Sequence, residues 1–207
     1  DPRAMIRVMQ IVEKASGGTL GYLHISAMDD ASFQKFQEEL YHAGAGKDGL
    51  VIDVRENGGG STTDHLLTAL TQPRHAIAIP RGSKTPGYPQ DRMIYATWSK
   101  PIVVLCNQNS YSNAEVFSHA IKTLKRGQLV GVQTAGGVIS TGATGIMDVG
   151  TLRLRQHAAV EVEDRAFAVD QLEHRCRRRC RCRGLMAPTI RWTRAIRWIA
   201  SPERLGA

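Results

Sequence analysis

Ser112 is the residue whose setting could support covalent chemistry. It follows an apolar run, 102–106, that predicts a strand, and it precedes a segment with helical spacing. The first turn of a helix carries unpaired N–H groups and the positive end of the helix dipole, which stabilise an alkoxide or a tetrahedral oxyanion. The pattern predicts a serine nucleophile at a helix start. Ser112 and Glu115 also match S-x-x-E, so simple helix capping is the competing interpretation.

A run of three glycines, Gly58, Gly59 and Gly60, follows the apolar segment 49–55. Glycine lets the backbone approach a ligand closely, and ligands of open α/β sheets gather at the carboxyl ends of the strands. If the two strands are neighbours, a glycine N–H and the N–H of Asn113 could form an oxyanion hole beside Ser112. A plain turn is the alternative. No phosphate-loop or dinucleotide motif is present, and we expect no cofactor.

Strand and helix patterns alternate between residues 20 and 134. Apolar runs predict strands at 20–26, 49–55, 102–106 and 128–134, and helical spacing predicts helices at 30–41, around 66–70 and after 112. The last of these helices has an apolar face made of Val116, Phe117, Ala120, Ile121 and Leu124. The alternation predicts an α/β fold with a mainly parallel sheet and flanking helices. A glycine-rich loop, 134–145, and a strand pair within 147–154 are expected to follow.

The chain has 207 residues and a formal charge of +8, but the charge is local. Six arginines lie within 175–183; without them, 21 basic residues face 19 acidic ones. We therefore expect no nucleic-acid partner. No apolar run is long enough for a membrane span and no secretion signal is recognisable, so we expect a cytoplasmic protein without a membrane partner. The chain starts without methionine and runs almost at once into a predicted strand, which suggests a piece of something longer.

Three segments in order resemble one known family: Asp48–Gly60, Asn109–Ala120 and Leu129–Gly137. They are similar to the catalytic domain of the tail-specific and tricorn serine peptidases, over roughly residues 17–154. The resemblance implies a ClpP/crotonase-like α/β spiral and cleavage of peptides through an acyl-enzyme on the matching serine. It also implies that Gly60 and Asn113 supply the oxyanion N–H groups.

The loop after the last predicted strand discriminates between two branches of this family. Tail-specific peptidases place a lysine base 25 residues after the nucleophile, and Gly137 stands at that position. The loop resembles the tricorn branch instead, in which a histidine base is oriented by a further serine and a glutamate. We expect Gly136 and Gly137, with Gly58 and Gly59, to line the substrate.

The resemblance places the histidine base upstream of this chain, so the general base is not assigned to any residue here. His24, His42 and His65 match no catalytic role, and His119 lies two helical turns beyond Ser112, too far along the helix to reach its hydroxyl. The expected partners are peptide substrates, and upstream domains of the same polypeptide or other copies in a homo-oligomer.

The pattern changes after residue 154, so the predicted organisation has three parts. Residues 1–154 form the nucleophile-bearing domain, and 189–207 carry a closing helix at Trp192–Ile199. Between them, 155–188 is rich in arginine and cysteine and is hypothesised to be read out of frame.

Three of the four cysteines lie in this anomalous segment: Cys176, Cys180 and Cys182. With His174 they offer a zinc set, but the usual CxxC pairs are missing and we predict no metal. Cys106 ends an apolar strand and is interpreted as a buried core thiol.

Two other functions stay open. One is a catalytically incomplete domain that acts only in assembly. The other is an acyl-CoA enzyme of the crotonase type, for which the serine motif is unneeded.

Overall fold

The computed structural model describes residues 2–73, 76–77, 79–85, 96–138 and 140–157. Helices α1 to α4 span Pro2–Ser16, Asp30–Gly44, Thr63–Thr71 and Asn113–Thr123. Strands β1 to β6 span Leu20–His24, Gly49–Asp53, Ile102–Cys106, Gln128–Gly131, Ser140–Ile146 and Gly150–His157, and a short 3-10 turn joins the last two.

Four strands form a parallel sheet in the order β1-β2-β3-β4. A helix lies between each pair of consecutive strands: α2, α3 and α4 in turn. All five residues of β2 and all five of β3 are buried, as expected for central parallel strands covered on both faces. The predicted α/β architecture with flanking helices is confirmed, and the pairing of β2 with β3 meets the condition on which the predicted oxyanion hole depends.

The two faces of the sheet bury separate apolar clusters. Leu50 and Ile52 of β2 pack with Phe36, Leu66 and Phe117 from the three crossover helices. The side chain between them on the strand, Val51, points to the other face and packs with residues of α1. Alternate residues of a strand face opposite ways, so one strand contributes to both clusters.

Helix α1 was not predicted, because the chain was expected to run almost at once into a strand. Residues Pro2–Ser16 are helical, and Val12 is fully buried, with Val8, Ile11 and Ala15 packed around it. These four positions recur at intervals of three and four residues, so they share one helical face that covers the sheet.

The region after β4 also differs from prediction. Only residues 134–138 of the expected glycine-rich loop lack regular structure, because Ser140–Ile146 pairs with Gly150–His157 as an antiparallel hairpin. The predicted strand pair within 147–154 is wrong, since a single strand begins at residue 150 and runs three residues past the expected domain end. Residues 158–188 of the Arg/Cys-rich segment, the rejected candidate zinc set and the predicted closing helix at 192–199 lie outside the described residues.

None of the helices in the described ranges is both long and apolar enough to cross a lipid bilayer.

Cys106 is fully buried at the end of β3, as predicted. Burial, together with the nearby Asp53 carboxylate, raises the pKa of its thiol from 9.0 to about 12. The folded protein therefore favours the neutral thiol more strongly than the unfolded chain does.

The Cys106 thiol should make the protein less stable in alkali. The contribution of the neutral thiol to the free energy of unfolding is complete below pH 9.0 and is lost as the pH rises toward about 12. Urea unfolding at several pH values should show a falling free energy of unfolding, with a shallower slope for Cys106→Ala. Equal slopes for the two proteins would contradict this assignment.

Candidate active site

The loops that follow β2 and β3 are joined by hydrogen bonds at the carboxyl edge of the sheet. The buried Ser110 hydroxyl donates to the Val54 carbonyl oxygen at 2.8 Å, and the Tyr111 N–H donates to the Asn57 carbonyl oxygen at 2.9 Å. The fully buried Asn57 side chain donates to the Ile25 carbonyl oxygen at 2.8 Å. Both loops are therefore fixed to each other and to the segment that follows β1.

Glu56 makes a second connection between the two loops. Its carboxylate accepts hydrogen bonds from the side-chain amides of Asn107, at 2.6 Å, and Asn109, at 2.8 Å. Glu56 has a φ of 60°, which is rare for a residue with a Cβ. The amide contacts hold this unfavourable turn in place just before the glycine run.

A buried ion pair lies beneath the same turn. The Asp53 carboxylate is 1% exposed, and its two oxygens share the Arg55 Nε–H at 2.9 and 3.0 Å. Oδ2 also accepts from Arg55 Nη2 at 2.5 Å and from the Tyr22 hydroxyl at 2.8 Å. Burial raises the pKa of Tyr22, and the Asp53 charge adds to the effect. These contacts fix the backbone where β2 turns into the glycine run.

Ser112 has a strained backbone at the start of α4, with φ at 53° and ψ at −117°. A non-glycine residue in such a sparsely populated region costs on the order of 1–3 kcal/mol and persists only where surrounding contacts enforce it. The predicted position at a helix start is confirmed. The Ser112 N–H donates to Glu115 Oε1 at 2.9 Å. In this contact between the two residues of the predicted capping motif, Ser112 takes part through its backbone.

The glycine run lies directly against Ser112. A Cβ added to Gly59 would be 2.8 Å from Ser112 Cβ and 2.7 Å from the Tyr111 carbonyl oxygen, and one added to Gly60 would be 2.0 Å from the Met28 carbonyl oxygen. Gly59 and Gly60 have φ values of 93° and 146°. A side chain at either position would collide with backbone.

Two N–H groups beside Ser112 have no acceptor within the described part of the chain: those of Gly60 and Asn113. The Gly59 N–H, in contrast, donates to the Asn57 side-chain oxygen at 2.9 Å. Thr63 orients Asn113 through two hydrogen bonds, from its N–H to the side-chain oxygen and from its hydroxyl to the backbone oxygen. The two groups without an acceptor are those that the sequence predicts for the oxyanion hole.

Glu115 is the site residue whose importance the sequence did not reveal. It is fully buried, and its carboxylate accepts hydrogen bonds from Thr134 Oγ1 at 2.7 Å, the Gly136 N–H at 2.6 Å and the Gly137 N–H at 2.8 Å. With the bond from Ser112, it has four donors. The motif indicated only a helix cap, because nothing in its local spacing shows that a distant loop folds onto it.

Comparison with known proteins supports one assignment of this geometry. Residues 19–172 match the sequence profile described as peptidase family S41. The chain belongs to peptidase family S41. It is 34% identical over 159 residues to "Tricorn protease homolog 1" of Streptomyces coelicolor, an alignment that covers 77% of this chain and 14% of that protein.

A second relative is named as a processing protease. The chain is 26% identical to the "Carboxyl-terminal-processing protease" of Synechocystis, over 61% of this chain and 30% of that protein.

A solved structure agrees with the tricorn-like branch. The structure titled "Crystal structure of the tricorn protease" superposes with a TM-score of 0.60 at 29% identity, over 72% of this chain and 14% of that one. The present chain thus spans about a seventh of the tricorn proteins that it matches.

Gly137, at the position where the family resemblance led us to look for a lysine, is covered by the Tyr111 ring. A Cβ there would be 1.9 Å from Cε2 of the Tyr111 ring. A side chain at Gly137 would require the Tyr111 ring to move.

Three of the described histidines have hydrogen-bond or ring contacts with groups other than Ser112. His24 Nε2 is 3.4 Å from the Arg55 carbonyl oxygen, His119 Nε2 is 3.1 Å from the Thr123 hydroxyl, and the His65 ring lies 5.3 Å from that of Phe33. His42 lies in the last turn of α2. These contacts give no support to a base from these four residues.

Replacing Ser112 should reveal the backbone strain. Both Ser112→Gly and Ser112→Ala remove the hydroxyl, but only glycine adopts a φ of 53° without a Cβ conflict. We expect Ser112→Gly to be more stable than Ser112→Ala by about 1 kcal/mol. Urea unfolding of both variants measures the difference, and a more stable alanine variant would contradict the strain.

The glycine run offers a matched set of substitutions. Gly59→Ala and Gly60→Ala introduce collisions at positive φ, whereas a Cβ on Gly58 meets nothing within 4 Å. We expect Gly58→Ala to change stability by less than about 0.5 kcal/mol, and each of the other two to lower it by about 2 kcal/mol or more. Thermal or urea unfolding would test this order, and equal effects at all three positions would contradict it.

Proposed function

We propose that this chain is the nucleophile-bearing domain of a larger tricorn-like serine peptidase that cleaves peptides through an acyl-enzyme on Ser112. The observation that carries the proposal is the strained Ser112 at the start of α4, beside two N–H groups without an acceptor in the described chain. Family membership supplies the reaction class.

The proposed reaction begins when Ser112 Oγ attacks the carbonyl carbon of the scissile bond and passes its proton to an imidazole base. The carbonyl oxygen becomes an oxyanion, which accepts hydrogen bonds from the N–H groups of Gly60 and Asn113. The imidazolium then protonates the leaving amine, which leaves an ester on the serine. Water, deprotonated by the same imidazole, hydrolyses the ester and restores the hydroxyl.

The base is proposed to come from another part of the complete protein, either upstream in the same polypeptide or from another copy. The chain's coverage of only 14% of its tricorn relatives supports this arrangement, because most of such a protein lies outside the matched region. The cytoplasmic location stays a prediction from the sequence.

The proposed substrate surface consists of glycine backbone. Gly58 and Gly136 are exposed and Gly59 and Gly137 partly so. The N–H groups of Gly59, Gly136 and Gly137 already donate to protein acceptors, and the Gly59 carbonyl oxygen already accepts from the Met28 N–H at 2.9 Å. Gly136 and Gly137 would therefore offer a peptide their carbonyl oxygens, and Gly59 its Cα surface.

A fluorophosphonate probe tests the proposed nucleophile. In the complete protein encoded by the gene, we expect covalent labelling of Ser112, detected by mass spectrometry, and loss of labelling in Ser112→Ala because the attacking oxygen is gone. Ser118→Ala is the control: this hydroxyl lies on the same helix and is buried, and it donates to the Ala114 carbonyl oxygen at 2.9 Å.

A complete, folded protein that is not labelled at Ser112 would refute the peptidase proposal and favour a role in assembly alone. Tight binding of coenzyme A in place of labelling would favour the acyl-CoA alternative.

A further inference from the structure

The proposed reaction does not use Glu115, yet its carboxylate accepts four hydrogen bonds, one of them from the N–H of Ser112 itself. It is fully buried, and its four donors are the N–H groups of Ser112, Gly136 and Gly137 and the hydroxyl of Thr134. Each bond is between 2.6 and 2.9 Å long. Both oxygens accept two hydrogen bonds.

Packing alone does not account for this residue. Burying a carboxylate is costly unless hydrogen bonds or a cation compensate it, and a buried apolar side chain of similar size would avoid that cost. The ion pairs of the described residues involve other carboxylates, those of Glu13, Glu39 and Asp53. Glu115 is instead compensated by backbone and hydroxyl donors, and three of the four come from the distant residues 134–137.

The four donors belong to two segments that are far apart in the sequence. Ser112 contributes the N–H of a residue whose φ of 53° must be enforced by its surroundings. Residues 134–137 contribute the other three donors. The same loop is held from its other side, where the Ala135 N–H donates to the Ser110 carbonyl oxygen at 3.2 Å.

We propose that Glu115 is a positioning residue for catalysis: it holds the Ser112 backbone in its strained conformation and docks loop 134–137 beside it. The inference rests on the proposed function. Glu115 does not touch the reacting atoms; it acts through Ser112, whose hydroxyl direction follows from the backbone angles. A loss of this contact lets φ of Ser112 relax and moves the hydroxyl away from the attack position.

Glu115→Gln is the sharpest substitution, because it keeps the shape and removes the charge. An amide has one accepting oxygen and an NH₂ group that can only donate, so two of the four donors lose their acceptor. A displacement of about 1 Å in a reacting group costs on the order of 100-fold in rate, and we expect fluorophosphonate labelling of Ser112 to slow by about that factor. For a peptide substrate we expect kcat to fall with KM changed less than about threefold.

Two control variants separate positioning from general loss of stability. Thr134→Val removes one donor and leaves the three N–H bonds, so its labelling should slow by less than about tenfold. Ile121→Val weakens the buried side of α4 without touching the site, since Ile121 is fully buried two turns after Ser112. At a temperature where all variants are folded, its labelling rate should equal that of the wild type.

Amide hydrogen exchange measures the hydrogen bonds to Glu115 without relying on activity. We expect Ser112, Gly136 and Gly137 to exchange at least tenfold faster in Glu115→Gln than in the wild type, with strands β2 and β3 unchanged. The experiment uses the complete protein, as does the labelling.

The outcomes are distinguishable. Equal labelling rates of the wild type and Glu115→Gln overturn the positioning role. An equal slowing of labelling in Glu115→Gln and Ile121→Val overturns it too. Unchanged exchange at Ser112, Gly136 and Gly137 overturns the hydrogen-bonded contact itself. A wild-type protein that is not labelled refutes the proposed function, and with it the catalytic role of Glu115, whatever the exchange shows.

Discussion

The parallel pairing of β2 with β3 is the constraint on which the candidate site depends. Their registered residues run from Leu50 with Ile102 to Asp53 with Leu105, so both strands end at the same edge of the sheet. The glycine run and Ser112 leave that edge as neighbours. Because both strands are buried on both faces, a one-residue slip in register would move each side chain from one packed apolar cluster into the other, and the packing of the core therefore fixes the position of the site.

Buried polar groups then convert this coarse placement into a defined geometry. Asn57, Ser110 and Glu115 are each fully buried, and each bonds to backbone of a different segment. An unpaired polar group in a core costs about 1–3 kcal/mol, so each of these side chains favours the single arrangement that satisfies it. The energy of these contacts offsets the unfavourable backbone angles at Glu56 and Ser112.

Much of this arrangement followed from local patterns. Alternating or continuous apolar patterns predicted the four parallel strands, and periodic apolar positions predicted α2, α3 and α4. The polar face of α4 was less predictable: Glu115 and Ser118 are buried, while Leu124, expected on the apolar face, is 56% exposed. Periodicity locates the average apolar direction of a helix, but the loops that pack on its first turn decide which individual residues are buried.

The C-terminal half shows a second limit of local patterns. Glycine and threonine in 140–145 suggested a continuing loop, yet these residues form β5 because a partner strand, β6, lies next to them. Strand formation depends on such cross-strand partners more than on the residues' own preference.

The sequence by itself determined the kind of chemistry: a serine at a helix start, a preceding glycine run and a loop without lysine at Gly137. These features are local, and backbone sterics at glycine and the dipole of a helix act within a few residues. Only the tertiary structure decided that Glu115 joins Ser112 to residues 134–137, across 21 and 22 positions of chain to Gly136 and Gly137. Such contacts depend on how whole strands and helices pack, because a buried carboxylate is stable only where the fold places hydrogen-bond donors around it.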